Sequence, residues 1–201
     1  MRSFKMKQYR VNEIFYSLQG EGRWAGTAAI FVRFSGCNLR CPFCDTDFSK
    51  SYIMTADDII AKMKEVGGQC HFMVFTGGEP SLQLDNQLIE MLHQEGYYIS
   101  VETNGTHPLP LGVDWITCSP KVEYVTNGKP QLTRASEVKV IFDGRHNVSD
   151  YGIQAEEYFI QPCDTGDSER NIQIVQEILE FVKANPKWRL SLQEQKLLSI
   201  R

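Results

Sequence analysis

The sequence has no apolar run that approaches the roughly 18 residues needed to span a membrane. Residues 1–10 are basic but lack the apolar core of a signal peptide. A basic excess is also missing, since 21 Lys and Arg face 25 Asp and Glu, for a net charge of −4, and nucleic-acid binders usually carry such an excess. We therefore expect a cytoplasmic protein that binds neither membranes nor nucleic acid, and the charge leaves small-molecule substrates open.

Internal repeats, low-complexity tracts and obvious linkers are missing as well. A chain of 201 residues can bury one sizeable core and needs no disulfides to do so. The scattered Cys70 and Cys118 are expected in that core, because a free cysteine packs as a small hydrophobic residue. We therefore expect a single domain over residues 1–201.

Short apolar stretches alternate with helical patterns along the chain. The patterns predict strands at residues 11–16, 28–34, 71–75, 97–101, 114–118, 138–142, 158–160 and 189–192. They predict helices at residues 56–66, 84–95, 149–157 and 169–184, and loops at residues 18–26 and 121–134. Thr55 and Ser168 are expected to cap the first and last helix. Such alternation is typical of an α/β fold with a mostly parallel sheet.

Polar signatures follow five of the predicted strands, at the point where each strand ends. They are the cysteine stretch at residues 36–46, Gly-Gly-Glu-Pro at 77–80, Glu-Thr-Asn at 102–104, Ser-Pro-Lys at 119–121 and Gln-Pro at 161–162. Ligands gather at the carboxyl ends of parallel strands, so five signatures on one rim predict a binding site there. Each signature alone would also suit a turn.

Three of the six cysteines lie close together, as Cys37, Cys41 and Cys44 in the spacing C-x3-C-x2-C. Soft thiolates of this kind bind zinc, copper(I) or iron–sulfur clusters. A structural zinc site usually has paired C-x2-C knuckles; the sequence has no second pair, although one distant ligand would complete such a site. An electron-transfer cluster normally has four cysteine ligands. Three cysteines on a cubane leave one iron open to a small-molecule ligand, which would make the cluster a reaction site.

The C-x3-C-x2-C motif after a strand, with Phe43 before its third cysteine and a later Gly-Gly-Glu-Pro, resembles the radical S-adenosylmethionine (SAM) superfamily. The resemblance implies a [4Fe-4S] cluster on Cys37, Cys41 and Cys44 whose open iron binds the amino and carboxylate groups of SAM. It implies that an electron from the cluster breaks the bond to the adenosyl 5′ carbon, and that the resulting radical takes a hydrogen from the substrate. The positions it predicts to bind SAM are Phe43, Gly78, Glu79, Ser119, Pro120, Lys121, Gln161 and Asp164.

The chemistry of the Gly-Gly-Glu-Pro stretch fits this role. Gly77 and Gly78 would let the backbone approach the methionyl ammonium, and the Glu79 carboxylate would balance its charge. Without the cysteines, the same stretch would indicate only a strand-to-helix turn with a proline at the helix start.

A narrower resemblance extends over almost the whole chain. Residues 15–22 (Phe-Tyr-Ser-Leu-Gln-Gly-Glu-Gly), Arg33, residues 44–46 (Cys-Asp-Thr) and residues 188–193 (Trp-Arg-Leu-Ser-Leu-Gln) together resemble the 7-carboxy-7-deazaguanine synthase family. This resemblance implies conversion of 6-carboxy-5,6,7,8-tetrahydropterin to 7-carboxy-7-deazaguanine with loss of ammonia, on the path to queuosine-type 7-deazapurines. It also implies a homodimer and a shortened, partly open (β/α) barrel, with which the chain length agrees.

The same resemblance implies a substrate and metal site. Thr46 would bind a Mg2+ ion that also holds the substrate carboxylate, with water and substrate oxygens completing the octahedron. The implied substrate contacts are Leu18, Gln19, Gly20, Glu21, Arg33, Thr76 and Arg201. Without the family, Thr46 would be a turn or cap residue and Arg33 an ordinary strand-end arginine. The sequence departs from the family at Gln195, where a histidine usually stands, and a glutamine can donate a hydrogen bond but carries no charge.

Several alternatives and partners stay open at this point. An electron donor such as flavodoxin is implied, and Arg23, Arg40 and Lys50 near the cysteine stretch could attract an acidic partner, although such charges are often merely solvated. The family implies that SAM is regenerated, whereas most of the superfamily consumes it. The nearest alternative enzyme is another small radical SAM enzyme, such as a glycyl-radical activase, which would need a protein partner instead of a pterin pocket. The alternative that is not an enzyme is a zinc-stabilised binding module.

Overall fold

The computed structural model of the chain describes residues 7–47 and 50–200. They form the strands Tyr9–Leu18 (β1), Ala28–Phe34 (β2), Tyr52–Met54 (β3), Phe72–Gly77 (β4), Tyr98–Thr103 (β5), Trp115–Cys118 (β6), Glu137–Phe142 (β7), Glu157–Pro162 (β8) and Trp188–Leu190 (β9). They form the α-helices Ala56–Gly67 (α1), Asn86–Gln94 (α2), Ser168–Ala184 (α3) and Glu194–Leu197 (α4), and short 3-10 helices at Gly22–Trp24 and Pro80–Leu82. Within the described ranges, every helix is too short or too polar to cross a lipid bilayer.

The strands form one open sheet in the order β3-β1-β2-β4-β5-β6-β7-β8-β9. All neighbouring pairs from β2 to β9 are parallel, whereas β1 runs antiparallel to both β2 and β3. β3 and β9 lie at opposite ends of the sheet, so it does not close into a full barrel. This arrangement confirms the predicted α/β class, with a mostly parallel sheet in a shortened, partly open barrel.

Two buried cores hold the helices against the sheet. The larger core joins β1, β2, β4 and β5 to α1 and α2, and it fully buries Ile59 and Leu88. The smaller core packs α3 on the strands from β6 to β9. In α3, Ile174 and Ile178 are four residues apart and therefore face the sheet together. The helices thus cover the outer face, and the opposite, concave face is left for the site.

Element boundaries differ from the predictions by a few residues. Thr55 caps α1 as predicted, but the cap of α3 is Asp167 instead of Ser168, because the Asp167 carboxylate accepts two backbone hydrogen bonds from the first turn. The sequence did not predict β3 or α4. Segments of three or four residues are too short to show a hydrophobic period.

The helix predicted over residues 149–157 is wrong. Tyr151 and Gly152 have left-handed φ angles of 52° and 78°, which a right-handed helix does not accommodate. Ile153 is nevertheless buried in the smaller core, and its carbonyl accepts a hydrogen bond from the Tyr158 hydroxyl at 3.2 Å. The apolar residue that suggested a helix therefore belongs to a packed turn.

The connection between β1 and β2, residues 19–27, runs across the amino ends of the parallel strands. Its Trp24 ring packs on the aromatic residues that begin β4, β5 and β6, namely Phe72, Tyr98 and Trp115. Arg23 donates a hydrogen bond to Glu157, the first residue of β8, at 2.7 Å. Arg23 therefore lies at the end of the strands opposite to the cysteine stretch, contrary to the prediction. The connection covers the amino ends and leaves the carboxyl ends accessible.

We expect Thr55→Ala to destabilise the fold by about 1 kcal/mol. The Thr55 hydroxyl accepts from the Asp58 backbone and the Asp58 carboxylate accepts from the Thr55 backbone, so the substitution opens this capping box. Urea unfolding measures the change. Thr126→Ala is the matched control, because Thr126 is exposed and lies outside the helices. Equal free energies of unfolding for the two variants would contradict the cap.

Candidate functional site

Two adjoining cavities open at the carboxyl ends of the parallel strands. The larger cavity, of about 560 Å³, is lined by β1, β2 and residues 193–196, and is named the outer cavity. The smaller cavity, of about 240 Å³, is lined by the three clustered cysteines and is named the cysteine cavity. The two cavities share a wall made of Glu21, Asp45, Thr76, Glu102, Gln193 and Lys196. Ligands in the two cavities would therefore contact the same side chains.

The cysteine loop, residues 36–46, follows β2 and is held by the end of β4. The Gly78 amide donates to the Phe34 carbonyl at 2.9 Å, and the Glu79 amide donates to the Gly36 carbonyl at 2.9 Å. These two bonds continue the pairing of β2 and β4 beyond both strands. The start of the cysteine loop is therefore fixed by backbone contacts.

Two glycines make this close approach possible. A Cβ atom on Gly78 would lie 1.8 Å from the Gly36 carbonyl oxygen, and one on Gly77 would lie 2.3 Å from the Phe34 carbonyl oxygen. Gly77 also has a left-handed φ of 109°, which favours glycine. The sequence suggested that these glycines serve ligand contact. The structure shows a packing reason for them that is independent of any ligand.

Glu79 lies buried at the base of the cysteine cavity. Its carboxylate accepts hydrogen bonds from the Thr103 hydroxyl at 2.6 Å, the Asn104 amide at 2.7 Å and the Ser81 amide at 3.0 Å. These bonds join the ends of β4 and β5. Glu79 still lines the cavity, but a methionyl ammonium would have to share a carboxylate that already has three protein donors.

The structure brings seven of the eight positions predicted to bind SAM to the cysteine cavity. Besides Glu79 they are Phe43, Gly78, Ser119, Lys121, Gln161 and Asp164. Pro120 is buried and is not one of the lining residues. The Lys121 ammonium donates to the carbonyl and hydroxyl oxygens of Ser119 at 2.7 and 2.6 Å. Lys121 is therefore held at the cavity wall by Ser119, the residue that directly follows β6.

The thiols of Cys37, Cys41 and Cys44 are free and line the same cavity. Burial raises the pKa of the Cys37 and Cys41 thiols, and the nearby Lys121 ammonium opposes this only in part. Within residues 7–47 and 50–200, no three Cys, His, Asp or Glu side chains gather closely enough to hold a single metal ion. Three soft donors spread around a cavity suit three irons of a cluster better than one tetrahedral zinc ion.

All described residues that were predicted to bind substrate or Mg2+ line the outer cavity. They are Leu18, Gln19, Gly20, Glu21, Arg33, Thr46 and Thr76. Arg201, also predicted, lies outside the described residues. The Arg33 side chain extends from β2, and its Nε donates to Glu13 on β1 at 2.9 Å. Because a guanidinium has five N–H donors, Arg33 can bind an anionic ligand while it contacts Glu13.

The C-terminal segment, residues 193–200, closes one side of the outer cavity. The amides of Gln193 and Gln195 donate to Glu21 Oε1 at 3.1 and 2.9 Å. The side-chain oxygen of Gln195 is buried and has no hydrogen-bond partner among the described residues. Gln195, where the sequence resemblance expected a histidine, therefore bonds Glu21 through its amide, and its oxygen is packed against Gly20.

Lys196, on α4, links the C-terminal segment to the cysteine cavity. Its ammonium lies 3.4 Å from the Asp45 carboxylate on the cysteine loop and 3.2 Å from the Asp164 carboxylate beyond β8. Partly exposed ion pairs of this kind contribute little stability. Their effect is to hold α4 against two parts of the rim.

Glu102 was placed at the rim by the sequence-based prediction without an assigned role, and Lys139 was missed. The Lys139 ammonium donates to Glu21 at 2.6 Å and to Glu102 at 2.8 Å, and its side chain is only 4% exposed. The sequence did contain a signal for Lys139, because this lysine stands between Val138 and Val140 in an apolar strand. A charged residue in such a place usually has a buried partner.

Known proteins resemble this chain over most of its length. The family model described as the Radical SAM superfamily matches residues 31–122. The 7-carboxy-7-deazaguanine synthase of Bacteroides thetaiotaomicron is 47% identical over 193 residues, which cover 96% of this chain and 98% of that protein. The enzyme of the same name from Burkholderia multivorans is 39% identical over 214 residues, which cover 96% and 99%.

A solved structure shares the fold. The crystal structure of QueE from Escherichia coli aligns with a TM-score of 0.70 and 26% sequence identity, over 92% of this chain and 94% of that one. Together with the two relatives, it favours the synthase family over a glycyl-radical activase or a zinc-stabilised module.

We expect Gly78→Ala to destabilise the fold by about 1–3 kcal/mol and to make Cys37 react faster with a thiol reagent. The added Cβ would meet the Gly36 carbonyl carbon at 2.3 Å and the Cys37 amide nitrogen at 3.0 Å, so the cysteine loop must move. Reagent labelling located by peptide mass measures the change. Gly26→Ala is the control for Cys37 reactivity: its left-handed φ of 81° also strains an alanine, but a Cβ there meets nothing within 4 Å, so the cysteine loop need not move. Unchanged Cys37 reactivity in Gly78→Ala would contradict this account of the loop.

Proposed function

The chain belongs to the 7-carboxy-7-deazaguanine synthase family of radical SAM enzymes, and we propose from this membership how its two cavities divide the reaction. The enzyme converts 6-carboxy-5,6,7,8-tetrahydropterin to 7-carboxy-7-deazaguanine with release of ammonia, a carbon–nitrogen lyase reaction of queuosine-type 7-deazapurine biosynthesis. The observation that carries this conclusion is the 47% identity over nearly the full length of both chains. We also propose that residues 1–201 act as one domain in the cytoplasm, since one sheet runs through the described chain.

The cysteine cavity is proposed to hold the [4Fe-4S] cluster and SAM that the superfamily uses. Cys37, Cys41 and Cys44 are the proposed cluster ligands, because their free thiols line one cavity. When bound, the cluster and SAM supply the hydrogen-abstracting radical chemistry of the superfamily. The protein's part is to place the two groups beside the substrate and to exclude water.

The proposed SAM contacts are Phe43, Gly78, Glu79, Ser119, Lys121, Gln161 and Asp164, all of which line that cavity. Pro120 would act only by fixing the backbone between Ser119 and Lys121, since it is buried and does not line the cavity. Lys121 has the clearest chemistry of the set, because a half-buried ammonium at the cavity wall suits a carboxylate ligand.

The outer cavity is proposed to hold the carboxylated pterin. Its volume of about 560 Å³ lies in the range of small-molecule sites. Arg33 supplies a cation for the substrate carboxylate, and Glu21 accepts from ring amino groups. Leu18, Gln19, Gly20 and Thr76 complete the proposed contacts, and Arg201 is retained from the family resemblance.

A Mg2+ ion is proposed at Thr46. The donor set fits such an ion, because Asp45, Thr46 and Asp47 give the outer cavity a group of hard oxygen atoms next to the proposed position of the substrate carboxylate. Mg2+ commonly keeps several waters and takes few protein ligands. One hydroxyl with water and substrate oxygens would therefore be sufficient.

The proposed partners are an electron donor such as flavodoxin and a second copy of the chain. Arg40 and Lys50 are exposed near the cysteine loop and suit an acidic donor. The edge strand β3 exposes Tyr52 and Ile53 by 58% and 57%, which supports a homodimer because exposed apolar residues on a sheet edge tend to be covered. Sedimentation of the purified chain tests the dimer.

We expect the wild-type chain to form 7-carboxy-7-deazaguanine under anaerobic conditions with a reductant, SAM and 6-carboxy-5,6,7,8-tetrahydropterin. Cys41→Ala should reduce product below detection and lower the iron bound per chain, because two thiols hold a cluster poorly. Cys70→Ala is the matched control, since the Cys70 thiol lies 3.5 Å from the Ala28 carbonyl and lines neither cavity. The absence of any deazapurine from fully reconstituted enzyme would overturn the proposed function.

We expect Thr46→Ala to raise the Mg2+ concentration needed for half-maximal activity by at least about tenfold. The substitution removes the hydroxyl oxygen and leaves the cavity otherwise intact. Thr46→Ser keeps the hydroxyl and is the control that should retain the wild-type Mg2+ dependence. Identical Mg2+ titrations for Thr46→Ala and wild type would rule out Thr46 as a ligand.

A further inference from the structure

Lys139 is the centre of a buried carboxyl–lysine cluster, defined here as Glu21, Glu102 and Lys139. Lys139 projects from β7, and its ammonium donates to Glu21 Oε2 at 2.6 Å and to Glu102 Oε2 at 2.8 Å. Both glutamates line both cavities, and Lys139 lines the cysteine cavity. The cluster therefore forms part of the wall between the proposed SAM and substrate positions.

The two carboxyl groups of the cluster are held unequally. Glu21 accepts three hydrogen bonds, because Gln193 and Gln195 donate to Oε1 at 3.1 and 2.9 Å in addition to Lys139. Among the described residues, Glu102 Oε1 has only one hydrogen-bond donor, the Gln19 side-chain amide at a long 3.3 Å. Hydrogen bonds to the charged form favour ionisation, so the geometry favours a carboxylate at Glu21 and leaves Glu102 Oε1 available to carry a proton.

The charges around Glu102 oppose one another, because two ammonium groups favour its ionised form and two carboxylates disfavour it. The charged groups that face it are Lys139 and Glu137 from β7, Glu21 from the β1–β2 connection and Lys121 after β6. Two carboxylates therefore lie close to the Lys139 ammonium before Glu102 is counted. A third negative charge in the same buried region is unfavourable unless one carboxyl group keeps its proton.

The pKa values agree with this unequal arrangement. Burial raises the pKa of Glu102 most; Lys139 lowers it, and Glu21 and Glu137 raise it, so that it stands at about 7. Burial also raises the pKa of Glu21, but Lys139 and the two glutamine amides outweigh burial and hold it at about 2. At neutral pH, Glu21 is ionised, and Glu102 changes from neutral below a pH of about 7 to charged above it.

We infer that Lys139 is a positioning residue of this enzyme: it holds the ionised Glu21 as a hydrogen-bond acceptor and fixes the position of Glu102 beside it. Burial and the neighbouring carboxylates, against the attraction of Lys139, leave Glu102 as a neutral carboxyl that donates to the substrate. This inference rests on the proposed function. A pterin edge carries ring N–H and amino donors next to a carbonyl acceptor, so an acceptor and a donor side by side complement it. When Glu102 ionises, the donor is lost and a further anion faces a substrate that is itself an anion.

The protonation of Glu102 can be measured without substrate, cluster or SAM. In the full chain with carbon-13-labelled glutamate, one side-chain carboxyl resonance should titrate near a pH of about 7 and disappear in Glu102→Gln. In Lys139→Met the same resonance should titrate at higher pH, because the ammonium that lowers the pKa is gone. A wild-type chain with no glutamate that titrates in the neutral range would overturn the inference.

The affinity for substrate then tests whether binding requires the protonated form of Glu102. Affinity for 6-carboxy-5,6,7,8-tetrahydropterin, measured anaerobically, should fall above the Glu102 pKa by about tenfold for each pH unit. Glu102→Gln should remove this fall relative to wild type while retaining binding, since its amide still donates. Lys139→Met should weaken binding about tenfold or more, as expected for loss of hydrogen bonds to a charged group. Lys187→Met is the matched control, because Lys187 pairs with Asp150 away from both cavities.

The outcomes separate this inference from the proposed function. A wild-type enzyme that neither binds nor converts the pterin would overturn the function, while the carboxyl titration would still show whether Lys139 controls Glu102. A wild-type enzyme that converts the pterin, with the same pH dependence of binding in Glu102→Gln and Lys139→Met, would overturn the inference alone. Loss of binding in Lys139→Met with an unshifted Glu102 resonance would also overturn it, because the lysine would then be only structural.

Discussion

The backbone approach between the cysteine loop and the end of β4 is the constraint on which the site depends. The Gly78 and Glu79 amides reach the carbonyls of Phe34 and Gly36, and a side chain at Gly78 would overlap the Gly36 carbonyl. Because the contact joins two backbones, side-chain motion hardly alters it. Glu79 also fixes the end of β5, because its carboxylate accepts hydrogen bonds from the Thr103 hydroxyl and the Asn104 amide. The cysteine loop and the carboxyl ends of β4 and β5 are thus positioned together.

The sequence predicted those parts of the molecule that a single stretch of chain encodes. Most strands, the cysteine loop and the Gly-Gly-Glu-Pro turn each come from local patterns, and the structure contains them. The buried cluster was missed because its members come together only in the folded sheet. Lys139 is 118 residues from Glu21 and 37 residues from Glu102, and no local period marks them as partners. The helix predicted over residues 149–157 failed for the opposite reason, since backbone angles in a tight turn overrode an apolar pattern.

The carboxyl–lysine cluster is better explained by the site than by stability. Buried ion pairs often contribute no net stability, because the cost of removing charges from water offsets their attraction. Three apolar side chains at the same positions would pack more simply. A lysine held at 2.6 and 2.8 Å from two carboxyl groups of a ligand cavity instead gives the cavity wall a defined electrostatic pattern.

The outer cavity is assembled from opposite parts of the chain. Residues 18–21 form one side, and residues 193–196 close it through Gln193, Gln195 and Glu21. During protein synthesis these closing residues emerge from the ribosome long after the cysteine loop. The cysteine loop can therefore pair with the end of β4 while the outer cavity still lacks a wall. A nascent chain that has not yet reached residues 193–196 thus has no complete outer cavity in which to hold a ligand.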